Sequence, residues 1–207
     1  MADDRGDLLQ KYKLLWKENR FEECEEISKQ LIKIDNGKSL YFHLRGNCLT
    51  QLKLYNEAVD AHKKAIDIEK KVEYYNSLSV TLERMGDLDA ARRAILFSSV
   101  LAPYGTSHFR QLIRICVRTG DTELGLVSII NLWKLERDLE QCIVDMEILS
   151  RNRKHELKEI LDFPDIDKIT AEELDRVFSR LTSFEENSVI REKITQSIRG
   201  RNTNYEQ

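Results

Sequence analysis

Residues 72–103 read VEYYNSLSVTLERMGDLDAARRAILFSSVLAP. Tyr75, Leu78, Ser79 and Leu82 stand at i, i+3, i+4 and i+7, the spacing of one helical face. Gly86 ends that helix, because glycine accepts the positive φ of a helix C-terminus without a steric penalty. Leu88, Ala91, Ile95 and Ser98 repeat the stripe on a second helix, and Pro103 stops it for want of an N–H. Ala91 and Ser98 are small, so the stretch predicts two short amphipathic helices that approach closely across a turn at Met85-Gly86-Asp87.

The pattern recurs outward at intervals of 33 or 34 residues. The preceding unit, 39–71, places Phe42, Gly46 and Leu49 on its first helix and Tyr55, Ala58, Ala65 and Ile66 on its second. The unit 5–38 carries Leu8, Tyr12 and Leu15, a turn at Asn19-Arg20, then Phe21, Cys24, Ile27 and Leu31. The unit 106–139 carries Phe109, Leu112, Ile113 and Cys116, a turn at Thr119-Gly120-Asp121, then Gly125, Ile129, Leu132 and Trp133.

The order aromatic, leucine, small residue, turn glycine, alanine, large apolar residue, small residue, proline resembles the tetratricopeptide repeat. The string NEAVDAHKKAIDIEKK at 56–71 is the most family-like in the chain. Arg45, Lys70, Tyr12 and Cys24 depart from the family pattern. The resemblance implies an all-α, right-handed helical-hairpin solenoid of four hairpins (5–38, 39–71, 72–105, 106–139) with extra C-terminal capping helices. Each hairpin of such an array exposes an apolar flank that only its neighbours cover.

Beyond the repeats, Leu132, Leu135, Leu139, Cys142, Met146 and Leu149 alternate three and four apart, a heptad seam that nothing interrupts in the sequence. It reads either as a degenerate fifth hairpin or capping helix over 140–162, or as a dimerising coiled coil. Phe163-Pro164 marks a boundary, since the residue before proline avoids helical geometry. Thr170-Ala171-Glu172-Glu173 is a capping box opening C-terminal helices within 163–199, and 200–207 is expected to be a flexible tail. Asp165–Leu174 superficially resembles the end of a calcium-binding loop, but Pro164, Ile166 and Asp167 stand where ligands or a turn glycine are required.

Composition narrows the function. Of 207 residues, 41% are hydrophobic, which supplies a core, and two prolines with eight glycines favour helices over hairpin-rich strands. The net charge of −3 gives no global basic excess, so neither nucleic acid nor membrane insertion is expected. The longest apolar run, 94–104, is too short for a bilayer, and the acidic start MADDRGD does not read as a secretory signal. Cys24, Cys48, Cys116 and Cys142 show no C-x-x-C spacing, so no metal site is expected, and reduced thiols point to a cytoplasmic setting. His43, His62, His108 and His155 lie on different segments, and no nucleophile, phosphate or dinucleotide motif occurs. Neither catalysis nor a cofactor is expected; His62, at an apolar position of a second helix, reads as structural.

The family resemblance implies a groove lined by first helices. Its residues here are Lys13, Trp16 and Lys17 from the first unit; His43 and Asn47, with Thr50 and Gln51, from the second. The third gives Asn76 and Arg84, with Ser77, Val80 and Glu83, and the fourth Arg110, Arg114 and Arg118, with Gln111. The three arginines are four apart and stack along one helix edge, where guanidinium groups suit carboxylates. The expectation is a non-catalytic adaptor or scaffold binding an extended, acidic protein segment. Family members that bind chaperone C-termini use a clamp of which only Asn47 matches here; the other positions hold His43, Ser77, Ser107 and Gln111, which disfavours that partner. The alternative is a structural, homo-oligomeric protein assembling through its C-terminal helices; a regulatory subunit of a larger machine is a third reading.

Overall fold

In the computed structural model, residues 2–151 and 172 are described. Among them every regular element is an α-helix: α1 Ala2–Lys17, α2 Phe21–Ile34, α3 Ser39–Gln51, α4 Tyr55–Ile68, α5 Val72–Met85, α6 Leu88–Leu101, α7 Ser107–Thr119, α8 Thr122–Glu136 and α9 Leu139–Ser150. They fall into two units, Met1–Pro103 and Tyr104–Gln207.

In the first unit each helix packs on its sequence neighbour, and α3 also touches α5. The second helices cross on small side chains: Ala58, Ala65 and Ala91 are fully buried. Around them close Leu31, Leu49 and Ile95, with Tyr12, Leu15, Cys24, Ile27 and Cys48 forming a cluster at the N-terminal end. Both tyrosines of α5 are used. Tyr74 is buried and shares a hydrogen bond with Ser39 Oγ at 3.0 Å, while Tyr75, half-buried, stacks on Phe97 at 5.7 Å. The packing stripe expected at Tyr75 therefore extends to Tyr74, which faces the preceding repeat.

The turns inside the hairpins share one geometry. Asn19, Lys53, Gly86 and Gly120 all have positive φ, at 56°, 63°, 95° and 74°. The amide following each donates back to a carbonyl five residues earlier: Arg20 to Leu15, Leu54 to Leu49, Asp87 to Leu82 and Asp121 to Cys116, at 2.9–3.2 Å. This six-to-one bond satisfies a carbonyl that the helix end would otherwise leave open. Asp87 and Asp121 then cap the next helix, each carboxylate accepting from a backbone N–H three residues on, at 3.0 and 3.2 Å. Between hairpins the chain is extended instead, as at Asp35, Glu69 and Lys71.

Arg45, where the resemblance implies an apolar residue, lies between repeats. Its Nε meets Glu25 Oε1 at 3.0 Å, and Lys29 Nζ meets the other Glu25 oxygen at 2.6 Å. Glu25 is buried, so the arginine supplies the countercharge that a buried carboxylate requires.

In the second unit α7, α8 and α9 pack on one another around Leu112, Ile115, Ile129, Leu132 and Met146. The uninterrupted heptad seam is corrected here. α8 ends at Glu136, Arg137 turns left-handed at φ 58°, and Asp138 caps α9 by accepting from Gln141 N at 3.0 Å. The Arg137 guanidinium sits 4.3 Å from the centre of the Trp133 ring, which holds the turn. Leu132 thus belongs to α8 and Met146 to α9, and both bury themselves within the unit instead of lining one long helix. Gly125 explains itself: a Cβ there would lie 2.7 Å from Leu149 Cδ1, so α9 packs where an alanine would stand.

Most of the C-terminal expectations lie outside the described residues: the end of the 140–162 segment, the helices within 163–199 apart from Glu172, the capping box, the calcium-like segment and the tail 200–207. The four cysteines are free and buried, and among the described residues no helix is long and apolar enough to cross a membrane.

Gly46 on α3 is set by the His62 ring, whose atoms would lie 2.6 Å from a Cβ at that position. His62 is fully buried and has no room to retreat. Gly46→Ala is expected to destabilise the protein by about 1–3 kcal/mol despite alanine's better helix propensity. A second substitution, His62→Ala, should recover part of that loss; thermal melts of the two single variants and the double variant check it.

Candidate functional site

The first helices of the first unit, α1, α3 and α5, border an open concavity of about 260 Å³. Its lining is Trp16, Asn47, Thr50, Gln51, Asn76, Ser77, Val80, Thr81 and Arg84. α3 supplies Asn47 and Gln51, and α5 supplies their repeat equivalents Val80 and Arg84 together with Asn76 one turn earlier.

Trp16 is half-buried, stacked on Tyr12 at 5.9 Å and edge-on to Phe21 at 5.2 Å. These two rings fix the indole, so one face of it is a pre-formed apolar wall. Thr50 and Thr81 close the floor. Their hydroxyls are 2.7 Å apart, Thr50 also reaches Gly46 O at 2.8 Å and Thr81 reaches Ser77 O at 2.9 Å. Above them the side-chain amides carry the polarity. Asn47 Nδ2 is 3.2 Å from His43 Nε2, Asn76 Oδ1 accepts from Ser98 Oγ at 2.6 Å, and Gln51 Oε1 accepts from Arg84 at 3.2 Å. The lining holds the Arg84 guanidinium and no carboxylate.

Of the residues expected from the sequence, the structure gathers Trp16, Asn47, Asn76 and Arg84 around this concavity, with Thr50, Gln51, Ser77 and Val80. Lys13 and Lys17 are exposed on α1 and do not line it. His43 lies one turn behind Asn47, against Tyr74 at 4.7 Å and His62 at 5.6 Å, and does not line the concavity. Glu83 is buried and is not part of the lining. Thr81 was not anticipated: its side chain is fully buried, and its position between the stripes of α5 gave no periodic signal. By its spacing Ser98 is a small packing residue, and its hydrogen bond to Asn76 crosses from α6 to α5.

The arginine edge belongs to the second unit. Arg110, Arg114 and Arg118 are exposed along α7, and Arg110 is ion-paired with Glu136 of α8. Gln111 and His108 of the same helix are buried.

Residues 40–71 match the tetratricopeptide repeat family. No curated protein matches the chain. Among solved structures, MamA from Desulfovibrio magneticus RS-1, from residue 41 to its end, aligns with a TM-score of 0.66 at 14% identity, over 89% of this chain and 99% of its own. PilF of Pseudomonas aeruginosa aligns with a TM-score of 0.63 at 14% identity, over 95% and 91%. YrrB, described as a TPR protein with an unusual peptide-binding site, aligns with a TM-score of 0.60 at 14% identity, over 86% and 91%. At such identities the likeness is one of fold: an all-α helical-hairpin solenoid.

The histidines behind the concavity make it acid-sensitive. Burial pushes His62 down to about 3, helped by the neighbouring His43. Burial pushes His43 down to about 4, with Glu73 opposing. Both are neutral in the folded protein, and both ring nitrogens of His62 are buried without a partner. The unfolded chain takes up protons near the ordinary 6.5, so the contribution is complete above that pH and is lost as pH falls toward about 4. Lowering the pH from 7 to 4.5 is expected to cost about 2 kcal/mol per histidine. His62→Gln should flatten the pH dependence of the melting temperature over that range.

Proposed function

We propose that this chain, a tetratricopeptide repeat protein, is a non-catalytic adaptor that holds an extended, acidic segment of another protein in the concavity of its first unit. The observation that carries the reading is the convergence of three side-chain amides, an arginine and a fixed indole in one concavity. A carboxamide offers a donor and an acceptor side by side, which matches the N–H and C=O of an extended main chain. Such pairing needs no particular ligand side chain, and a pre-formed site lowers the ordering cost of binding. Arg84, already oriented by Gln51, suits a carboxylate of the ligand better than a lysine would, because its fork bonds bidentately. Trp16 and Val80 supply the apolar contacts that a wholly polar groove would lack. YrrB, with its peptide-binding site on a similar fold, supports the reading by analogy.

The arginine edge of α7 is a second, independent basic surface. Arg110 is partnered there with Glu136, and the anionic anchor is placed instead at Arg84.

The test is fluorescence polarisation with a labelled N-acetyl heptapeptide of alternating alanine and aspartate. Asn47→Ala and Asn76→Ala should each weaken binding about tenfold, the loss of one or two hydrogen bonds. Arg84→Glu should weaken it further and remove most of its salt dependence. Lys13→Ala, exposed on α1 outside the lining, should leave it unchanged, and peptide binding should alter Trp16 fluorescence. Affinity unaltered in the Asn47→Ala/Asn76→Ala double variant would overturn the assignment.

A further inference from the structure

The two asparagines of the concavity are not equivalent, because each is held from behind by a different partner. Asn76 faces Ser98 Oγ at 2.6 Å. That is shorter than an amide N–H reaches to oxygen and ordinary for a hydroxyl bonded to a carbonyl. The serine hydroxyl therefore donates, Asn76 Oδ1 accepts, and the Asn76 NH2 is the atom left for the concavity. Ser98 is fully buried, so water does not compete for the bond. Asn47 is held the other way round. Its Nδ2 faces His43 Nε2 at 3.2 Å. The donor and acceptor roles of this pair depend on the ring tautomer. With Nδ2 donating, Nε2 is the unprotonated nitrogen, the proton sits on Nδ1, which is buried without a partner, and Asn47 Oδ1 is left for the concavity. His43 is locked in place between the Tyr74 and His62 rings.

We infer that the concavity reads the direction of a bound main chain, with Asn47 accepting from a ligand N–H, Asn76 donating to a ligand C=O, and Ser98 and His43 as the positioning residues that set this polarity. The inference rests on the reading of the concavity as a peptide site and deepens it. At the same residue register, a peptide threaded in the opposite sense sets its C=O against Asn47 Oδ1 and its N–H against the Asn76 NH2. Each like-with-like meeting leaves two polar groups unpaired, which costs more than the absence of one bond. Flipping Asn76 would replace its short bond from the Ser98 hydroxyl with a longer N–H donation to it, and flipping Asn47 would require the His43 proton to move from Nδ1 to Nε2. Gln51 follows the same logic: its carbonyl is taken by Arg84, so its NH2 is the group it offers.

Direction is separated from side-chain recognition by comparing the acetylated alanine–aspartate heptapeptide with its retro-inverso form. Built from D-residues in reversed order, that form displays the same side chains with every N–H and C=O exchanged. The full-length wild-type protein should prefer the ordinary peptide by about tenfold or more. Ser98→Ala frees the Asn76 amide to turn, and His43→Phe keeps the ring but removes Nε2; in each the preference should shrink by about threefold or more, with the fold checked by circular dichroism. In the ligand-free protein, nitrogen-15 shifts of labelled histidine should show His43 Nε2 unprotonated at neutral pH. Equal affinity for the two peptides overturns the directional inference while the peptide site stands. So does a protonated Nε2, or a preference untouched in both variants. Failure of both peptides to bind overturns the peptide site and the directional inference with it.

Discussion

The structure depends on one backbone constraint, repeated: a residue in the left-handed region at the end of each first helix. With Asn19, Lys53, Gly86 and Gly120 so placed, the following amide returns to the helix it has just left, and the chain reverses. The second helix of each hairpin is then laid against the first. Two of the four positions hold residues with a Cβ. Asn19 tolerates this conformation comparatively well, whereas Lys53 carries a strain that the surrounding contacts offset.

Given those reversals, packing within the first unit follows from residue size. Buried alanines bring the helices close, and the gaps are closed by polar pairs that a purely apolar pattern would not predict. Ser79 Oγ donates to Ala91 O across the α5–α6 hairpin at 2.8 Å. Tyr12 OH donates to Leu44 O at 3.1 Å and so ties α1 to α3. Arg45 neutralises Glu25 between repeats. Tyr12 and Arg45 are places where the chain leaves the family pattern, and both have a partner in the fold. Tyr12, for instance, fills with a bonded ring the space that the family usually leaves to glycine.

The concavity arises from the same arrangement. First helices stand side by side, so the amides of Asn47 and Asn76, 29 positions apart and one turn out of step with the repeat, border one space. The residues that orient them come from elsewhere: Ser98 from a second helix and His43 from one turn back. The acidity of the histidine pair, the size of Gly46 and the orientation of Asn47 are thereby coupled through a single cluster of rings.

Much of this was determined by the sequence alone. Helical spacing, the glycines at 86 and 120 and the interval of 33 or 34 residues specify the hairpins, because local periodicity and turn chemistry are written residue by residue. The groove residues Trp16, Asn47, Asn76 and Arg84 were legible for the same reason, since the repeat assigns each a face. What only tertiary structure decided is what stands behind or against those faces. The break at Arg137 gave no sign, since arginine is no turn residue and is held there by Trp133. The burial of Glu83 and Gln111 is likewise absent from the periodic pattern. The hydrogen bond from Ser98 to Asn76 spans 22 positions and two helices. Periodicity fixes which way a side chain leaves its own helix, but its partner is set by the helix packed against it, and that distance exists only in the folded chain.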